Sequence, residues 1–199
     1  MLDEIEPRLP DDVAPFATPL DGSVSPGDLL VAMDTGTLVL IERVGRIVSI
    51  DLETGKPLWT TKIPSVQVYD GAISAGTLVI GGASTERPDP RGAGARMSLL
   101  PVALFSIDVR TGGPLKDLRP ALANLVNAPD AKNPGAADRQ QIRWLRSLGA
   151  GRVLIGMYDR VAAIDASTQS LLWSYDKPSV SRSLECWVVG DRAFVLNED

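Results

Sequence analysis

Three aspartates recur with the same neighbours, and theirs is the spacing that most invites a chemical reading. Asp51, Asp108 and Asp165 each stand in the pattern Ile-Asp-x-x-Thr, with a Leu seven residues after the Asp. A repeated carboxylate can act as a general base or as a cation ligand. It can also cap its own turn by accepting backbone N–H groups two or three residues on, with Thr adding a hydroxyl bond. Gly55 and Gly112 follow two of the Thr residues and supply the positive φ that closes a short hairpin. The turn role accounts for every shared residue and is the preferred reading; a catalytic role is the alternative.

Other candidates for chemistry do not assemble. The chain has no histidine and one cysteine, Cys186, so no intrachain disulfide forms and an ordinary zinc site lacks its ligands. Cys186 reads as a buried thiol in a strand. Glu185 and Asp191 have no defined carboxylate partner for acid–base work. Gly92-Ala93-Gly94 lacks the strand-to-helix setting of a dinucleotide loop. Arg87, Arg91 and Arg96 read as a solvated loop, with an acidic peptide as the alternative ligand. No catalytic, cofactor-binding or metal-binding residue is assigned, and no cofactor is expected.

The aspartates must be positioned by strands. Each follows a short apolar run: residues 47–50, 103–107 and 161–164. The strand after each turn is expected to carry Leu58-Trp59, or Leu172-Trp173, back to the core. From Gly27, four strands fit within forty residues: 29–33, 37–42, 46–51 and 57–63. Such a meander predicts one propeller blade. The run from Gly76 repeats the run from Gly36, 40 residues on, so the underlying unit is about 40 residues. Two insertions interrupt it, at about 83–98 and 119–138. In the second, Pro120 is placed to start one or two helical turns. The expected fold class is all-β, a partial β-propeller of about three four-stranded antiparallel blades plus two strands of a fourth. The blades fall at about 27–64, 65–118, 139–178 and 183–199. Residues 1–26 hold Pro7, Pro10, Pro15, Pro19 and Pro26, and read as a lead-in or linker.

The three copies resemble the tryptophan-docking motif of PQQ-like β-propellers, the repeat type named after pyrroloquinoline quinone enzymes: Ala-x-Asp-x-x-Thr-Gly-x-x-x-Trp. The first copy matches at Asp51, Thr54, Gly55 and Trp59, with Ser49 in the Ala place. The third matches at Ala163, Asp165, Thr168 and Trp173, with Gln169 for Gly. The second keeps Asp108, Thr111 and Gly112, with Ser106 for Ala and Lys116 for Trp. The resemblance covers roughly residues 27–199. It implies that each Trp docks its blade on the neighbouring one. The chain resembles the outer-membrane assembly lipoprotein type of propeller, and that resemblance implies a periplasmic or extracytoplasmic setting; the acidic start, Met1 to Glu6, does not read as a secretory leader. The quinone enzymes of the family imply a bound quinone, a calcium ion, an Asp base and often a Cys-Cys pair, where this chain has a single Cys. The Gly-His and Trp-Asp signatures of WD40 repeats are missing.

Composition sets outer bounds. With 199 residues, 44% of them hydrophobic, the chain can bury one good-sized core. A formal charge of −5 argues against nucleic acid as the main partner. No apolar run of about 18 residues is present, so no transmembrane helix is expected. Three blades and two strands point to part of a larger propeller; closure with four blades and the N-terminal segment as a clasp is the alternative. Three function classes remain: a non-catalytic scaffold that binds a protein partner or the remaining blades of the same propeller, part of a quinone-dependent dehydrogenase, and a sensor propeller fused to another domain. The residue set leans away from an enzyme.

Overall fold

In the computed structural model, residues 29–34, 36–85, 102–125, 141–158, 160–176, 184–189 and 192–197 are described. They form fourteen strands and one short 3-10 turn. β1 (Leu29–Asp34), β2 (Thr37–Glu42), β3 (Arg46–Asp51) and β4 (Pro57–Lys62) make the first sheet, in that order. β5 (Val66–Ser74), β6 (Thr77–Ser84), β7 (Val102–Asp108) and β8 (Lys116–Asp117) make the second. β9 (Ile142–Gly149), β10 (Arg152–Met157), β11 (Arg160–Asp165) and β12 (Ser170–Asp176) make the third. β13 (Leu184–Val189) and β14 (Arg192–Asn197) pair as a fourth, two-stranded sheet. All pairings are antiparallel between consecutive strands. The chain is a partial β-propeller.

The first strands of successive sheets lie side by side: β1 by β5, β5 by β9, β9 by β13. They define the inner, channel side, and β4, β8 and β12 the outer rim. Three apolar layers alternate with the sheets. Val39, Ile41, Ile47, Leu78, Ile80 and Ile107 fill the layer between the first and second. Val79, Leu104, Leu122, Ile142, Val153 and Ile155 fill the layer between the second and third. Trp144, Leu154, Val161, Ala163 and Cys186 fill the layer between the third and fourth. Middle strands are therefore buried on both faces, which explains their near-continuous apolar runs, such as β6 and β11.

The repeated glycines and aspartates meet in one recurring contact. Leu52, Val109 and Ala166, each directly after its Asp, donate their N–H to the carbonyls of Gly36, Gly76 and Gly151 at 3.0, 2.9 and 3.0 Å. This ties the turn after the third strand to the hairpin between the first two. In the second sheet that hairpin is Ala75-Gly76, with φ of 50° and 74°, the left-handed pair that a two-residue turn needs.

The insertions lie partly outside the described residues. β6 runs to Ser84 and β7 starts at Val102, so the first connection is 85–101, of which only Thr85 is described. In the second, Arg119–Leu122 forms a 3-10 turn with Pro120 in its first turn, one turn where one or two helical turns are expected. β8 is confined to Lys116–Asp117; Pro114, just before it, has no N–H to offer a ladder. The lead-in at 1–26 lies outside the described residues.

Candidate functional site

The three aspartates do not converge. Asp51 Oδ1 accepts the Thr54 N–H at 2.7 Å and the Thr54 hydroxyl at 3.0 Å. Asp108 Oδ1 accepts the same pair from Thr111, at 2.7 and 2.9 Å, and the Arg110 N–H at 3.0 Å. Asp165 Oδ1 accepts the N–H groups of Ser167 and Thr168 and the Ser167 hydroxyl, the last at 2.6 Å. These bonds hold all three carboxyls below the ordinary carboxylate value; the Thr N–H is the main cause at Asp51 and Asp108, and the Ser167 hydroxyl at Asp165. Each carboxylate is spent on its own turn. Among the described residues no group of three or more His, Cys, Asp or Glu is placed to hold a metal ion.

The indoles divide into a docked and an open case. Trp59, on β4, reaches across to the second sheet. Its Nε1–H donates to the Val109 carbonyl at 2.8 Å, and that oxygen also accepts the buried Ser49 hydroxyl at 3.0 Å. The ring lies on Gly112. A Cβ at Gly112 would stand 2.6 Å from two ring atoms, and φ there is +70°, so glycine is required twice over. Trp173, on β12, holds the same register: Ala163 faces Trp173 as Ser49 faces Trp59, with a bulge after each. Yet Trp173 is 47% exposed, Tyr175 60% and Leu172 45%. The Trp173 N–H has no partner among the described residues.

The expectation that the outer strands return Leu58-Trp59 and Leu172-Trp173 to the core needs correction: of these four only Trp59 is docked, and Trp173 is not. Leu58, Leu115 and Leu172 are 45%, 37% and 45% exposed. Leu58 and Leu172 are the extra residues of β-bulges: Ser49 pairs with Trp59 and Ile50 with Pro57, and Ala163 pairs with Trp173 and Ile164 with Leu171, so neither Leu has a cross-strand partner.

Where Lys116 replaces the indole, other contacts join the second and third sheets. The 3-10 turn buries Ala121 and Leu122 in the shared layer, with Leu118 beside them and Leu125 and Leu171 packed on. Arg160 Nη1 donates to the Leu125 carbonyl at 3.0 Å. On the channel side, Asp70 Oδ1 accepts the Gly71 N–H at 2.8 Å. Its Oδ2 accepts the Leu145 N–H at 2.8 Å and Arg146 Nη1 at 2.9 Å. Arg146 also lies over the Trp144 ring and reaches the Cys186 carbonyl. The group thus links three successive inner strands. Nothing in the sequence pattern marks Asp70; the irregular pairing between Val68 and Asp70 that turns it inward is a three-dimensional feature. Cys186 is buried as expected, and burial pushes its thiol up while Arg146 opposes the shift.

β2, β6 and β10 each pair on both sides, whereas among the described residues β14 pairs only with β13. Phe194 on β14 is 53% exposed and Val189 on β13 66%. No helix among the described residues is long and apolar enough to cross a membrane.

No protein-family model matches this chain, and no curated protein matches it. Solved structures do. The Cps50 (Swd1) β-propeller domain of Myceliophteria thermophila is similar at TM-score 0.55 and 15% identity, over 85% of this chain and 48% of that one. The computationally designed Ika4 protein is similar at 0.54 and 15% identity, over 89% and 94%. The dihydro-heme d1 dehydrogenase NirN, in complex with DHE, is similar at 0.54 and 11% identity, over 85% and 32%. This chain spans less than half the length of the Cps50 domain and about a third of NirN. Identities this low establish the β-propeller fold and nothing finer.

Proposed function

We propose that this chain is a protein-binding platform of the PQQ-like propeller type, without a catalytic centre of its own. Residues 27–199 form the propeller arc, and residues 1–26 its lead-in or linker. The observation that carries this reading is the apolar outer face of the third sheet, where Leu172, Trp173 and Tyr175 stand exposed on one strand. Large apolar and aromatic side chains exposed together on one strand mark a protein contact. The Asp-x-x-Thr turns and the docked indole of Trp59 support the PQQ-like assignment, since both follow the motif residue by residue.

A photo-crosslinking amino acid in place of Tyr175, expressed in the producing cell, tests the platform. A discrete protein adduct, lacking when the same group replaces exposed Lys62 on β4, is the expected result. Equal labelling at both positions contradicts it. Dye reduction by the purified protein with added quinone and calcium would overturn the non-catalytic reading.

A further inference from the structure

We draw no further inference here: the strongest candidate, the polar cluster of Gln67, Tyr69, Asp70, Gln141 and Arg146 at the inner strands β5 and β9, belongs to the junction already described, since its side chains bond one another and the backbone between the second and third sheets.

Discussion

The β3–β4 hairpin and the β11–β12 hairpin carry the same motif and meet different fates. Both place a Trp opposite the small residue two before the Asp, and both break register one residue later. Trp59 is packed and hydrogen-bonded; Trp173 is 47% exposed. The hairpin is thus a local product of its sequence, while the burial of its indole belongs to the pair of sheets. The two departures from the motif teach the same lesson. Gly112 is required because the Trp59 ring fills the space of its Cβ. At the equivalent turn of the third sheet Gln169 is accepted, at φ +57°, where the preceding sheet offers Lys116 in place of an indole. The missing Trp and the missing Gly are two sides of one altered junction, filled instead by Leu118 and Leu122.

The sharpest way to break this comparison is truncation of the two indoles. Trp59→Ala should cost about 3 kcal/mol in urea unfolding, and Trp173→Ala under about 1 kcal/mol. Equal costs would mean the indoles are not differently seated. Leu122→Ala should match Trp59→Ala, at about 3 kcal/mol, because it empties the substitute contact of the second junction. Gly112→Val should cost about 2–3 kcal/mol, from the left-handed backbone and the collision with the ring. In the Trp59→Ala background part of that cost should vanish, a coupling of about 1 kcal/mol or more. Asp70→Asn should cost about 2 kcal/mol, since Arg146 loses its charged partner across the second junction. Gln169→Gly should be the mildest, a gain of about 0.5 kcal/mol from relieving the left-handed strain. Gln169→Gly in combination with Lys116→Trp asks whether the altered junction can be restored.

Acid titration separates the turns from the junctions. Each turn carboxylate has a folded pKa below its unfolded value of about 3.9. Its contribution is present in full above the unfolded value and is lost as pH falls through the folded one. Carboxyl 13C shifts of Asp51, Asp108 and Asp165 should therefore titrate below about pH 3.9. Replacing Thr54 or Thr111 by Val should move the adjacent Asp back up. The exposure of these groups keeps the effect on stability small.

Much of the fold was legible because the repeat is local. The Asp turn, the Gly-Thr starts of β2 and β6 and the apolar runs of β3, β7 and β11 are encoded within a few residues of themselves. The expected bounds of β2 and β3 match the structure. The exposure of Leu58 and Leu172 was not legible, because hydrophobicity says that a side chain prefers burial, not that a bulge leaves it without a cross-strand partner. The Asp70–Arg146 contact was hidden for a related reason: the residues are 76 apart and joined by an irregular pairing that leaves no sequence signature.

Hydrogen exchange at the indole N–H groups, resolved by 15N labelling and assigned with Trp→Phe variants, reads this difference in seating directly. The Trp59 N–H, bonded to the Val109 carbonyl, should exchange at least a hundredfold more slowly than that of Trp173. Comparable rates at the two indoles would contradict the account.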